Sequence, residues 1–235
     1  MSTGENESFA PDFVGPRHRL RESLLLKTFL AGRPGKDVLN AGAGQGTFSQ
    51  TLEGLGFNVT SLDPSPEAVA LLHDRVAGPV ICAPLEELPL APASLDAAVL
   101  GEVLEHIADD RGALAAVADV LRPGGVLAAS VPANPKYFGP SDRWAGHVRR
   151  YTRERLLGPI TAAGLTVERC DAWGFPVSTL YHRYVYDPRL ARRGAAPPGR
   201  GSRPALTALG LLLELDRLFV GVERGALGYL VLARK

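Results

Sequence analysis

Cysteine is nearly missing from this chain of 235 residues. Two occur, Cys82 and Cys170, too few for a disulfide framework or a thiolate metal centre. Cys82 falls in an apolar, strand-like run, so both are read as buried thiols. Lysine is scarce too, at positions 27, 36, 136 and 235 only, while arginine is abundant. There is no excess of either charge: the formal net charge is +1. Nucleic acid and an anionic membrane surface are therefore not expected as partners. The apolar segment PALTALGLLLELDRLFVGVE is broken by Glu214, Asp216 and Arg217, which excludes stable insertion into a bilayer. The first residues are polar and acidic, unlike a signal sequence, and the cytoplasm is expected. No metal-ligand spacing and no Ser-His-Asp order is visible, so no metal is expected. What is present, 46% hydrophobic and 22% charged residues, describes one globular α/β domain with a sizeable core.

The most informative stretch runs from Val38 to Asp63, VLNAGAGQGTFSQTLEGLGFNVTSLD. It reads as strand, glycine turn, helix, strand and terminal carboxylate. Gly42, Gly44 and Gly46 let the backbone bend sharply and approach a ligand closely. The helix opening at Thr47 aims free N–H groups at the same place. Asp63 stands where an acid on the neighbouring strand reaches ribose hydroxyls. Together these residues predict a nucleoside pocket. The third glycine falls one residue early for the dinucleotide pattern G-x-G-x-x-G.

The segment VLNAGAGQG instead resembles motif I of the class I S-adenosylmethionine (SAM)-dependent methyltransferases, with Asn40 where an acid is usual. GEVLEH, at 101–106, resembles the corresponding segment of the ubiquinone-biosynthesis-like members, and RPGG before a strand and GHVRRYT also match the family. The resemblance covers roughly residues 38–135. It implies a Rossmann-like, seven-stranded, mostly parallel sheet with an antiparallel last strand and helices on both faces. It also implies SAM as cofactor, with Asn40 near its amino group, Gly42, Gly44 and Gly46 along its methionine portion, and Asp63 on the ribose. Pro84 stands where the family often has an adenine-binding acid, which leaves Leu85 or Glu86 for that contact. Glu102, Glu105 and His106 lie beyond the end of a central strand. Glu102 and His106 are candidates for the cofactor and for proton transfer, and Glu105 for a structural role.

Residues 1–15 are expected to be a disordered lead-in, and 16–235 a single domain. Pro16 to Leu30 predicts a helix ahead of the first strand, with His18, Arg17, Arg19 and Arg21 on a basic face. Ser65 should cap a helix whose inner stripe is Val69, Leu72 and Val76. Residues 133–151 form a long substrate loop. In it His147 is the preferred general base, because an imidazole titrates in the right range. Tyr137, Trp144, Arg149 and Tyr151 are the substrate-binding candidates, and Arg149 with Arg150 could clamp an anion. Gly158-Pro159 should shorten or kink the helix that follows. Residues 176–224 predict a helical insertion before the last strand, either a lid or a surface for a homodimer, with Tyr181, Tyr184 and Tyr186 packed inside. These features point to a methyltransferase acting at an oxygen or nitrogen of a small molecule. A non-catalytic SAM-fold partner or sensor, and a nicotinamide-dependent oxidoreductase, are the alternatives.

Overall fold

The computed structural model describes residues 15–193 and 203–235. The expected lead-in thus falls outside them apart from Gly15, as does much of the arginine-rich link near 200. Seven strands form one sheet in the order β3-β2-β1-β4-β5-β7-β6. They are β1 (Asp37–Ala41), β2 (Asn58–Asp63), β3 (Val80–Cys82), β4 (Leu95–Gly101), β5 (Leu121–Pro132), β6 (Thr166–Trp173) and β7 (Gly228–Arg234). The pairs among β1 to β5 are parallel, while β7 runs antiparallel to both β5 and β6.

Period-two alternation places a core on each face. Leu39, Ala98, Leu100, Leu127 and Val231 point to one side; Val38, Ala97, Val99, Val126 and Leu232 point to the other. Helices α2 (Thr47–Gly54) and α1 (Pro16–Ala31) cover the second face, and α4 (Asp110–Val120) and α6 (Arg153–Ala162) the first. The crossovers therefore change face between β1 and β4. That reversal opens a crevice at the carboxyl ends of these neighbours, next to Ala41 and Gly101.

Local signals set most boundaries. Ser65 Oγ accepts from Ala68 N (3.2 Å) at the start of α3 (Pro66–Arg75), and Asp109 caps α4 through Gly112 N. Several expectations need correction. Cys82 is exposed, because its strand is short and lies at the sheet edge; Cys170 is buried. Val69 and Val76 are only half-buried, and Ala68 with Leu72 forms the inner stripe of α3. Residues 133–151 are not a structureless loop: a short turn, Pro135–Tyr137, precedes helix α5 (Pro140–Ala145). Pro159 does not interrupt α6. It loses one backbone bond but is itself buried, and the helix continues past it to Ala162. Tyr184 is 68% exposed rather than packed.

The insertion is helical as expected. It holds α7 (Val177–Tyr181), a wide π-type turn (His182–Tyr186), α8 (Asp187–Arg193) and α9 (Arg203–Leu213). It packs on α1 through α9 and on α5 through α8. Leu211, Leu212, Leu215 and Leu218 stay exposed, an apolar surface of the kind a homodimer would need. No helix among the described residues is long and apolar enough to cross a membrane.

Asp216 anchors this insertion. Fully buried, it accepts from Val177 N (2.7 Å) and Ser178 N (2.8 Å) and thereby holds the start of α7. Asp216→Ala leaves both donors buried and unpaired, and should lower stability by about 2 kcal/mol in urea unfolding.

Candidate functional site

Three glycines shape the turn after β1, each with positive φ: 65° at Gly42, 54° at Gly44 and 82° at Gly46. Their surroundings differ. A Cβ on Gly42 would lie 2.5 Å from Val103, and one on Gly46 2.9 Å from Leu72, so both are needed for packing. A Cβ on Gly44 would meet nothing within 4 Å. The crest of the turn is thus open toward the crevice.

Gly44 N donates to Asp63 Oδ2 (2.8 Å) and Ser65 N to Oδ1 (3.0 Å), which fixes the buried carboxylate at the end of β2. A carboxylate has about four acceptor positions, so two remain for ribose hydroxyls. Asn40 is buried, and its Nδ2 donates to Ser49 Oγ (2.9 Å), which in turn meets Ser61 Oγ (2.7 Å). Its amide is therefore engaged at the joint between sheet and α2. Leu85 is buried at the start of a short turn, Leu85–Glu87, while Pro84 and Glu86 are exposed. Glu102 closes β4 with a φ of 60°, accepts from Ser130 Oγ (3.1 Å) and lies 3.6 Å from Arg21.

The second half of the site converges on Asp142, a fully buried residue of α5. Its Oδ1 takes both His147 Nδ1 (2.8 Å) and Arg150 Nε (2.8 Å), and its Oδ2 takes Gly139 N (2.8 Å). Burial works against ionisation, but these hydrogen bonds and the Arg150 charge prevail and hold the carboxyl down at about 2. An ionised carboxylate only accepts, so His147 carries its proton on Nδ1 and, when neutral, presents a lone pair at Nε2. That nitrogen lies 3.9 Å from Glu105 Oε1, and the His106 ring stands edge-on to His147 at 4.8 Å. Glu105 is wholly buried, with neither carboxylate oxygen hydrogen-bonded. Burial, followed by the nearby Glu102 charge, pushes its carboxyl well above the glutamate range. His106 is exposed; partial burial of its ring and the His147 charge lower its affinity for a proton.

Glu105, His106 and His147 each offer one ligand atom, all within 4.8 Å of one another. The expectation of no metal-ligand set relied on spacing along the chain. His147 is too distant in sequence from the other two for spacing to reveal the group.

The remaining candidates divide. Tyr137 is half-buried beneath Arg183 (4.8 Å), and Trp144 is half-buried. Arg149 is occupied by Asp110 (2.8 Å) and Ala108 O (2.8 Å), and Arg150 is buried on Asp142, so neither is a free clamp. Tyr151 is 1% exposed, its hydroxyl against Leu104 O and Asp110 Oδ2, which makes it a core strut. Asp142 and His182 were passed over as organising groups, since no local pattern distinguishes them.

A methyltransferase-domain family model matches residues 39–129, the segment that contains the glycine turn, Asp63 and Glu102. The ubiquinone biosynthesis O-methyltransferase of Hahella chejuensis is 37% identical over 115 residues, 46% of this chain and 48% of that protein. Residues 39–129 thus match a methyltransferase domain, and the chain is similar to class I SAM-dependent methyltransferases. It spans about half the length of the curated relatives it matches. A SAM-dependent methyltransferase from Mesorhizobium loti superposes with a TM-score of 0.62 at 20% identity, covering 94% of this chain and 99% of that one. The [4+2]-cyclase SpnF also superposes, with a TM-score of 0.61 at 21% identity over 92% and 80% of the two chains. At such identities the likeness concerns the fold alone, which carries more than one chemistry. The methyltransferase family's cosubstrate, SAM, fits the open Gly44 crest and the spare lone pairs of Asp63.

Two outcomes follow from this geometry. Gly44→Ala should fold with only about 1–2 kcal/mol of backbone strain, yet its methyl group would occupy the crest and weaken S-adenosylhomocysteine binding about tenfold or more by calorimetry. The second concerns His182, held down to about 3 by burial and the charges of Arg17 and Arg150. The unfolded chain protonates this histidine below pH about 6.5. It therefore binds more protons than the folded chain, and stability falls as pH drops from about 6.5 toward 3. His182→Gln should flatten that slope in urea titrations across the window.

Proposed function

We propose that this protein transfers the methyl group of SAM to an oxygen or nitrogen of a small-molecule acceptor. The observation that carries the reading is the open glycine crest joined to Asp63 inside the matched methyltransferase segment. When bound, SAM supplies an electrophilic methyl on a sulfonium. The turn at Gly42, Gly44 and Gly46 and the Asp63 carboxylate hold it, with Asn40, Leu85 and Glu102 bordering the same crevice. The rest of the work is alignment, since displacement at the methyl needs the nucleophile in line.

His147 takes the proton of the acceptor as the new bond forms. Asp142 fixes the ring and its tautomer and stabilises the positive charge that develops. Tyr137 and Trp144 border the acceptor, and the insertion closes over it, as its contacts with α1 and α5 suggest. The name of the Hahella relative, an O-methyltransferase, supports an oxygen acceptor.

A second reading is favoured by the three converging donors and the unpartnered Glu105: Glu105, His106 and His147 would hold a divalent cation that orients the acceptor. A third, a SAM-fold protein without methyl transfer, is kept in view by the cyclase that shares the fold.

Calorimetry with SAM and S-adenosylhomocysteine tests the cofactor. Micromolar binding is expected, and binding of neither would end the methyltransferase reading. A screen of phenols, acids and amines for methylated product tests turnover, and no product from any class favours the third reading. In the base reading His147→Ala lowers kcat about a hundredfold or more with cofactor affinity unchanged, and dialysis against a chelator has no effect. Activity lost to the chelator and restored by a divalent ion would favour the second reading.

A further inference from the structure

Helix α1 packs on one face of the sheet and carries one polar flank. Near its middle Glu22 accepts from Thr47 Oγ1 (3.3 Å) at the start of α2, and Arg21 approaches Glu102 (3.6 Å) at the end of β4. One turn earlier, Arg17 meets the insertion: its Nη1 lies 2.8 Å from His182 Nδ1, and its guanidinium sits 5.1 Å from the centre of the Tyr186 ring. The flank thus extends from the cofactor turn to the acceptor side.

Among the described residues Arg17 has no counter-ion. No carboxylate among the described residues forms an ion pair with it. Burial, partly opposed by the Tyr186 hydroxyl and reinforced by the Arg21 charge, lowers its proton affinity.

His182 cannot satisfy it securely. The ring is neutral near pH about 7, since burial and two guanidinium charges hold it down to about 3. A neutral imidazole has a single acceptor nitrogen, and guanidinium only donates. Arg17 points at Nδ1, and Arg150 at Nε2 (3.1 Å). One of the two contacts must therefore set N–H against N–H. Arg150 has Asp142 and Ala133 O as further acceptors, whereas among the described residues Arg17 has only the face of Tyr186. Arg21 is also under-used. Its Nη2 meets His18 Nδ1 (2.9 Å), its Nη1 is too far from Glu102 for a hydrogen bond, and its Nε is buried with no partner. Glu102 is shared with Ser130 and cannot complete both forks.

We infer that Arg17 and Arg21 together receive an anionic group, carboxylate or phosphate, of the methyl acceptor, so that the acceptor is an acid. Two guanidiniums a helical turn apart repel each other when the site is empty. An anion between them removes that repulsion and supplies the acceptors both forks lack. That the anion belongs to the acceptor rests on the methyl-transfer reading; the anion site itself does not.

Benzoate and phenyl phosphate, titrated calorimetrically into protein saturated with S-adenosylhomocysteine, test the inference. Saturable binding of at least one is expected, benzoate marking a carboxylate site and phenyl phosphate a phosphate site. Arg17→Gln should weaken it about tenfold or more, and Arg17→Lys, which keeps the charge but not the fork, by less. Affinity for S-adenosylhomocysteine should stay within about twofold in both variants. Should the glutamine variant not fold, the lysine variant and Arg21→Gln carry the comparison. Absence of binding by either anion, or equal binding to wild type and variants, overturns the inference. So does a tenfold loss of S-adenosylhomocysteine affinity in Arg17→Gln, because the guanidinium would then serve the cofactor's own carboxylate. If wild type binds neither SAM nor S-adenosylhomocysteine, the methyl-transfer reading fails, and the same anion titration on the free protein still decides whether the site exists.

Discussion

The hydrogen bond from Gly44 N to the Asp63 carboxylate joins the turn after β1 to the end of β2, and the proposed cofactor half of the site is built around it. Its geometry depends on a glycine: at a φ of 54° the amide turns back toward β2 while the Cα faces open space. A side chain at that position would incur strain and occupy the space opened by the turn. The bond also sets the carboxylate in one orientation, with Ser65 N holding the other oxygen, so its remaining lone pairs are fixed before any ligand arrives. Preorganisation of this kind lowers the entropy cost of binding.

On the proposed acceptor side Asp142 has the corresponding role. Buried and ionised, it is stabilised by three donors from the residues on either side of α5, and it fixes both the tautomer of His147 and the position of Arg150. Arg150 in turn reaches His182 in the insertion, and Arg17 reaches the same ring from α1. Four separate parts of the chain therefore meet in one polar chain. A change in the charge of any member alters the hydrogen-bonding choices of the others, which couples the α5 segment to the insertion and to α1.

The geometry of the proposed cofactor half was legible in the sequence because its information is local. Alternating glycines, a helix start and an acid one strand later occupy a short stretch, and the family resemblance of that stretch and those after it implied the sheet. The acceptor half was legible only as a list of residue types. His147 was chosen for its chemistry, but the partner that orients it, Asp142, looks like any loop acid. Tyr151 and Arg149 were read as ligand contacts because aromatics and arginines collect in binding loops; the fold instead directs both to Asp110. The grouping of Glu105, His106 and His147 depends on β4 and the segment after β5 ending side by side, which no spacing rule reports. Pro159 and Cys82 were misread for the opposite reason, local rules being overridden by tertiary burial in one case and by an edge position in the other.

The central claim is that the Gly44 crest and Asp63 enclose the nucleoside of SAM, with its sulfur directed toward His147. A crystal soaked with S-adenosylhomocysteine tests it most directly. The expected density has the ribose hydroxyls on Asp63, the methionine portion along Gly42 to Gly46, and the sulfur facing the Asp142–His147 pair. Density for the ligand elsewhere, or a sulfur turned away from that pair, would contradict the account.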